Sequence, residues 1–477
     1  MSSVRPSDTA SLQDWLTYLE SLHRVSIDLG LDRIRAVLDK LQLQLPFVKI
    51  TVGGTNGKGS TCAMLEAILL AAGYKVGMYT SPHLIEFNER IQLNGEMATD
   101  EEIIRQFQRI EQTRGDISLS YFEYTTLAAL MLFEERKVDA AVLEVGLGGR
   151  LDAVNVVDTD CAIITSVDID HTQYLGDTRE KIGFEKAHIF RPGRPAICAD
   201  PMPPASIIDH AKQIGADLWL FGKDFNYAGD RQQWAYGGRE QRRSGLAYPS
   251  LRGANQLLNA TAALAALEAL RPRLVVPQQA VRIGLSQVAL PGRLQIVPGT
   301  PVIVLDVAHN PHAAAALGQN LDAMSYFPAT HAVVGMLNDK DIRGVIARLA
   351  TRVTHWYCAS LEGPRGTSGE DLARIVHEVI ASTTGGPRME DNSREVRRIP
   401  SAEHAAESSS TQGARPGVRA AAKPVSLREP PKVSTFENPV QAFTAAQKEA
   451  TGNDRILVFG SFATVGPVLH ELGSQVT

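Results

Sequence analysis

Cysteine is scarce and scattered: Cys62, Cys161, Cys198 and Cys358 are the whole complement of a 477-residue chain, and no two form a Cys-x-x-Cys pair. That excludes a disulfide framework or a zinc knuckle and fits reduced, mostly buried thiols in a cytoplasmic protein. Basic charge is not in excess either. With 48 Lys+Arg against 53 Asp+Glu the formal net charge is −5, which gives no electrostatic footprint for nucleic acid. Long apolar runs are missing: the richest helical stretch, 260–270, is short and carries Glu268, so no membrane span is expected. The first residues bring Arg5, Asp8 and Asp14 and no apolar h-region, so no signal peptide is expected. Internal repeats are absent from the sequence. What remains is the balance of a soluble globular enzyme, 44% hydrophobic and 21% charged, in a chain long enough for two or three domains.

Apolar β-branched runs alternate with helical patterns, which points to an α/β protein with a mostly parallel sheet. The runs of the first half are 47–52, 75–80, 139–145, 161–167, 195–199 and 218–221. Thr99-Asp100-Glu101-Glu102 has the capping-box form of a helix start. Between residues 225 and 248 the pattern turns short, polar and aromatic, with Gly237-Gly238 as a turn, and predicts a small antiparallel insertion. Leu290-Pro291-Gly292-Arg293 breaks the rhythm and marks a boundary between an N-terminal domain, 1–290, and a C-terminal one, 291–477. Strands of the second are expected at 302–306, 332–336, 354–357 and 456–459. Residues 383–432, rich in Ser, Ala, Arg, Glu and Pro, cannot bury enough surface to offset the entropy of ordering them, and read as a disordered insertion.

The chemistry concentrates after strands. Val52-Gly-Gly-Thr-Asn-Gly-Lys-Gly-Ser-Thr61 lies between an apolar run and a helical pattern, which makes it a P-loop-like phosphate cradle. Its backbone N–H groups and helix start face the phosphates, and Lys58 adds a full charge. Gly59 separates Lys58 from Ser60, so the spacing departs from the usual G-x-x-x-x-G-K-[ST]. Three further strand ends repeat the arrangement: Ser81 in Thr-Ser-Pro-His-Leu and Glu144 in Glu-Val-Gly-Leu-Gly-Gly-Arg offer oxygen ligands for magnesium, and Asp168-Ile-Asp-His-Thr172 adds a histidine, His171. Lys186, within Glu-Lys-Ala-His-Ile-Phe, reads from spacing alone as a solvated lysine on a helix face.

Gly-Thr-Asn-Gly-Lys-Gly-Ser together with these strand-end motifs resembles the bifunctional dihydrofolate synthase/folylpolyglutamate synthases of the Mur ligase superfamily. Matching stretches run over 19–236, 255–365 and 456–465. The resemblance implies a P-loop ATPase-like N-terminal domain, a Rossmann-like C-terminal α/β domain, and a monomer. It implies ATP held by Gly57, Lys58, Gly59, Ser60 and Thr61, with Asn255, Arg293 and Asp306 as further nucleotide contacts. Magnesium, as two ions, falls to Ser81, Glu144, His171 and a carbamylated Lys186, with K+ a further candidate cation. Two pterin-binding loops are implied, one with Leu22, His23, Ile27 and Leu29, the other with Ser120, Tyr121, Phe122 and Glu123. Leu151, Asp152 and Ala153 join them, Asp152 as acceptor for the heterocycle's N–H groups. Lys58, Lys186 and His309 are the implied catalytic residues. For three positions another reading stays open: Arg293 as a hinge salt bridge, Phe122 as core, His309 as the cap of the following helix. The expected activity is ATP-dependent addition of L-glutamate to dihydropteroate and to reduced folates through an acyl phosphate. The alternatives are an enzyme acting only on folates and a non-catalytic ATP-binding scaffold.

Overall fold

The computed structural model describes residues 5–7, 9–23, 28–230, 232–384 and 431–474. Eight strands of the first part form one sheet: β1 (Val48–Gly53), β2 (Val76–Tyr79), β3 (Ile91–Leu93), β4 (Glu96–Met97), β5 (Ala140–Glu144), β6 (Cys161–Ile164), β7 (Pro195–Cys198) and β8 (Asp217–Leu220). Their order is β4-β3-β2-β5-β1-β6-β7-β8, parallel except for the β3–β4 edge. The central strands are apolar along their length because helices cover both faces. All five residues of β5 are buried. Lys58–Ala71, which follows β1, and Gln256–Ala269 pack on one face, and their cluster shares Val52, Leu65 and Ala263. Tyr121–Glu135 covers the other face through Leu127 and Met131.

The antiparallel insertion is present as β9 (Asn226–Gly229), β10 (Trp234–Gly237) and β11 (Arg242–Leu246), with Gly238 N–H closing the turn on Gln241 O at 2.8 Å. A six-stranded sheet follows, made of β12 (Gln295–Val297), β13 (Val302–Asp306), β14 (Thr330–Val334), β15 (His355–Ala359), β16 (Lys432–Phe436) and β17 (Arg455–Phe459). Its order is β12-β13-β17-β14-β15-β16, so β17 is inserted between β13 and β14 and pairs with both in parallel. Thr99 caps Asp100–Arg114 as its signature requires: Glu102 N–H donates to Thr99 Oγ1 at 3.3 Å, and Thr99 N–H to Glu102 Oε2 at 3.0 Å.

Four strands lie outside the apolar runs read from sequence, namely β3 and β4 of the hairpin, β12 and β16. The bounds of the expected insertion also shift, because Thr383 and Thr384 continue the helix Gly369–Thr384 and Lys432 opens β16. The rest of that segment, 385–430, lies outside the described residues. Among the described residues no helix is long and apolar enough to cross a membrane.

Candidate active site

The carboxyl ends of β1, β2, β5 and β6 converge where the strand order places β1 between β5 and β6, the crevice in which open α/β sheets hold ligands. Facing them are the carboxyl ends of β13, β14 and β17. Between the two sheets lies a cavity of about 600 Å³.

The floor is the glycine loop. It is pinned to the segment after β6, with Thr55 N–H on Ser166 O at 2.7 Å, Asn56 N–H on Ser166 Oγ at 3.1 Å and Thr165 Oγ1 on Asn56 O at 2.7 Å. Gly57 turns the chain into the helix Lys58–Ala71 with φ +91°, and a Cβ there would stand 2.5 Å from Asn259 Oδ1. Lys58 Nζ lies 3.4 Å from Thr55 O and 4.0 Å from Glu144 Oε1. Gly57, Lys58, Gly59 and Ser60 line the cavity. Thr61 does not: it is fully buried and its hydroxyl returns to Gly57 O at 3.0 Å.

Glu144 ends β5, and Ser81 N–H donates to its Oε2 at 3.1 Å. Burial pushes the Glu144 carboxyl up, against the pull of Lys58. Lys186 is not a solvated helix-face residue. Only 4% exposed, it points inward from the helix Arg179–Ala187 and donates to Gly54 O at 2.9 Å. Burial, reinforced by the charge of Lys58, brings its ammonium down to about 7. Such an amine is partly neutral at physiological pH.

His171 and Asp170 meet the second sheet. Lys340, in the loop after β14, reaches across to Asp170 Oδ1 at 2.7 Å and to His171 Nε2 at 3.2 Å, and its side chain is only 6% exposed. Burial lowers His171 to about 4, so the ring is neutral; Nε2 accepts from the lysine, and Nδ1 is buried without a partner. Asp170 is also destabilised as a carboxylate by burial. The His309 ring, 3.6 Å from its Oδ2, and Lys340 outweigh that and hold it well below the usual carboxylate range. Asn310 Nδ2 bridges Asp170 Oδ2 at 3.1 Å and Asn56 Oδ1 at 3.0 Å, linking the glycine loop to the second sheet.

Two open readings are decided by geometry. Asn310, not His309, caps Pro311–Ala323, because Ala313 N–H donates to Asn310 Oδ1 at 2.9 Å. His309 keeps Nδ1 on Val307 O at 2.9 Å and turns Nε2 toward Asp170. Arg293 forms no ion pair within 4.0 Å among the described residues. It lies over the Phe462 ring at 5.0 Å, and burial lowers its pKa while Asp306 and Glu144 support its charge. Asp306 accepts Leu294 N–H at 2.9 Å and Ala308 N–H at 2.8 Å, and burial raises its carboxyl. Asn255, Arg293, Asp306 and His309 all line the cavity.

Among the described residues, the expected pterin residues lie outside its lining, and Phe122 and Asp152 reach it through Gly146 and Leu147. The Phe122 ring is only partly buried, against Gly146, where a Cβ would stand 2.6 Å from it, and tilted on Tyr79 at 5.8 Å. Tyr121 sits T-shaped on Phe87, and Leu22 packs on the same apolar cluster. Asp152 is 3% exposed, accepts Leu147 N–H at 2.8 Å and Val154 N–H at 3.0 Å, and is raised to about 7 by burial. Leu151 is half-buried and Ala153 buried beside it. Ser120 and Glu123 spend polar atoms on the capping box of Tyr121–Glu135, with Ser120 N–H on Glu123 Oε2 at 2.7 Å. His23 bridges Ser118 Oγ and Asp28 Oδ2, both at 2.8 Å. Leu29 is half-buried, and Ile27 lies outside the described residues.

For a divalent cation the side chains offer a hydroxyl, a carboxylate and an imidazole, and among the described residues no set of three or more His, Cys, Asp or Glu closes into a cage. That partial shell fits an ion held mainly by phosphate oxygens, as magnesium with a nucleotide usually is. Ser81 and Glu144 are adjacent and suit it. His171 suits it once Nε2 is released by Lys340, and Lys186 only as a carboxylated amine. Sequence reasoning missed Lys340 and Phe462. Both follow strand ends, in Asn338-Asp339-Lys340 after β14 and Gly460-Ser461-Phe462 after β17, and that position was the available signal.

A phosphate cradle that one α/β unit presents to a second is the architecture of the Mur ligases. The family model for the Mur ligase middle domain matches residues 52–267, and that for the Mur ligase glutamate ligase domain matches 292–424. The dihydrofolate synthase/folylpolyglutamate synthase of Escherichia coli K12 is 41% identical over 472 residues, 98% of this chain and 97% of its own. Escherichia coli FolC in complex with DHPP and ADP superposes with a TM-score of 0.85 at 40% identity, covering 99% of this chain and 100% of that one. A bifunctional folylpolyglutamate synthase/dihydrofolate synthase with Mn, AMPPNP and L-glutamate bound gives 0.81 at 41% identity, covering 98% and 99%. The chain belongs to the dihydrofolate synthase/folylpolyglutamate synthase family.

Proposed function

We propose that the cavity joins L-glutamate to dihydropteroate, forming dihydrofolate, and to reduced folates, forming folylpolyglutamates, at the expense of ATP. The observation that carries this is a single cavity to which both sheets contribute: the glycine loop, Glu144 and buried Lys186 on one side, Arg293, Asp306 and His309 on the other. In this reading a nucleotide-binding and pterin-binding domain, 1–290, closes on a ligase domain, 291–477.

A carboxylate is a poor electrophile and must be activated. The glycine-loop N–H groups and Lys58 hold the γ-phosphoryl oxygens while the acceptor's carboxylate attacks phosphorus and the bond to ADP breaks, giving an acyl phosphate. Ser60, with Gln256 Nε2 3.4 Å from its hydroxyl, and Asn255 place the nucleotide from the first domain. Arg293 and Asp306 meet it from the second, so closure both completes the site and excludes water. Phe122 and Asp152 seat the pterin. His309 orients the incoming glutamate, whose neutral amine attacks the acyl carbon and releases phosphate.

Lys186, partly neutral and buried, takes up CO₂: the nitrogen–carbon bond forms, a proton leaves, and the amine becomes a carboxylate. With Ser81, Glu144 and His171 it would hold two Mg²⁺ ions. When bound, these ions neutralise charge on the transferring phosphoryl group. K+ enters the reading by family resemblance alone. The reading is completed by a monomer in the cytoplasm, which the four buried free thiols support.

The test is ADP release measured with dihydropteroate, with tetrahydrofolate or with no acceptor, each with and without L-glutamate. Release that needs both acid and glutamate, for both acids, is expected. Extension of preformed folates alone would defeat the bifunctional reading, and ADP release indifferent to glutamate would defeat ligation.

A further inference from the structure

At the far end of the helix Gln256–Ala269 a second groove, of about 390 Å³, opens between β11 and the segment leading to the next helix. Arg242, Arg243 and Arg271 line it, with Leu274 and Val276 as an apolar wall and Glu240 at the rim. The helix has 14 residues, so its first turn, at the nucleotide cavity, is about 20 Å from this groove.

The groove's charge is unbalanced. The neighbouring arginines are paired: Arg239 with Asp217 at 2.7 Å and Asp224 at 3.0 Å, and Arg273 with Asp160 at 2.6 Å. Among the described residues no carboxylate lies within 4.0 Å of Arg242, Arg243 or Arg271. Arg243 is half-buried and finds only neutral acceptors, Val276 O at 2.9 Å, Gln241 Oε1 at 3.1 Å and Gln278 Oε1 at 3.5 Å. The one buried acid beneath, Glu268, is saturated by Tyr236 OH at 2.5 Å and by the N–H groups of Glu240 at 2.7 Å and Gln241 at 3.0 Å. Burial makes the charge of Arg243 costly; Tyr236 and Glu268 beneath it offset that only in part, and Arg271 adds repulsion.

We propose that this groove is an anion site, separate from the nucleotide cavity, which takes a small molecule bearing two or more negative charges on phosphate or carboxylate groups. Planar guanidinium forks match both chemistries in pairs of hydrogen bonds, and the apolar wall strengthens them by excluding water. The inference does not rest on the ligase reading.

Isothermal titration of the full chain tests it, with the phosphate cradle filled by a saturating non-hydrolysable ATP analogue and a chloride buffer of low ionic strength. Inorganic phosphate and citrate are titrated separately. One saturable equivalent is expected, weakened at least about tenfold, or 1.4 kcal/mol, in Arg243→Gln and in Arg271→Gln. Binding of phosphate alone, of citrate alone or of both supports the site and tells which group it prefers. Arg271 is exposed, so its variant carries the test even where Arg243→Gln fails to fold. No saturable equivalent with either anion, or titration unchanged in Arg271→Gln, overturns the proposal.

Discussion

Replacing Gly57 by alanine separates the two tasks of the glycine loop, holding its own shape and holding phosphate. The residue has φ +91°, where an L side chain costs about 1–2 kcal/mol. The new Cβ would also press on Asn259 Oδ1 from 2.5 Å and turn that side chain away. Asn259 Nδ2 donates to Gln256 Oε1 at 3.0 Å, a bond whose loss adds about 1 kcal/mol. The sum, about 2–3 kcal/mol, corresponds to a fall in melting temperature of roughly 3–5 °C for a domain of this length. Gln256 also reaches Ser60 Oγ, so the distortion enters the cradle, and nucleotide affinity should drop at least about tenfold. Gly59→Ala is the comparison. Its Cβ meets nothing nearer than Leu290 at 3.7 Å, but it points between Arg293 and Glu144, at 3.8 and 3.9 Å, where phosphate would lie. Scanning calorimetry and nucleotide titration should show Gly57→Ala losing stability and binding, and Gly59→Ala losing binding alone. An unchanged melting temperature in Gly57→Ala, or equal destabilisation in both, would refute the account of the loop.

Glu66, on the inner face of the helix Lys58–Ala71, is 7% exposed, has Oε1 without a partner, and is raised to about 7 by burial, partly offset by Gly95 N–H. The folded state therefore holds a proton that the unfolded state releases from 4.5 upward, and stability is lost as pH rises from there to 7, by roughly 3 kcal/mol. Glu66→Gln should equal the parent in urea unfolding near pH 4.5 and exceed it at pH 8; an offset independent of pH would contradict this. Lys340→Met removes the cation between Asp170 and His171. Cutting one member from a buried pair costs about 3–5 kcal/mol, and since Asn310 and His309 still serve Asp170, about 2 kcal/mol is expected here. Urea unfolding should show that loss, and an unchanged unfolding free energy would show that the contact does not help to hold the two sheets together.

Most of the parallel strands were legible because buried strands are continuous apolar runs, and the cradle because glycine, lysine and helix start stand together. The β3–β4 hairpin was legible as well: Asn94-Gly95, both at positive φ, joins alternating residues, which is the strongest short hairpin signal. Its three-residue strand made it easy to pass over. β16 was not legible, because an edge strand of Lys-Val-Ser-Thr-Phe buries no complete face and follows a polar segment. Lys186 shows the limit of local pattern. Nothing in Glu-Lys-Ala says that the side chain turns inward to a carbonyl 132 positions away, and only the family resemblance pointed to it. Lys340 and Asn310 act through partners on another sheet, which periodicity does not report.

The placement of β17 has a consequence for biosynthesis. The strands of the first sheet are complete by residue 220, and that half can close while the ribosome is still translating the remainder. The second sheet cannot, because its middle member is its last. β13 and β14 are not joined until Arg455–Phe459 pairs with both from between them, about 120 residues after β14, or roughly 6–25 s of elongation. Through that interval two half-sheets wait with open edges, the form of nascent chain most exposed to aggregation and most in need of a chaperone.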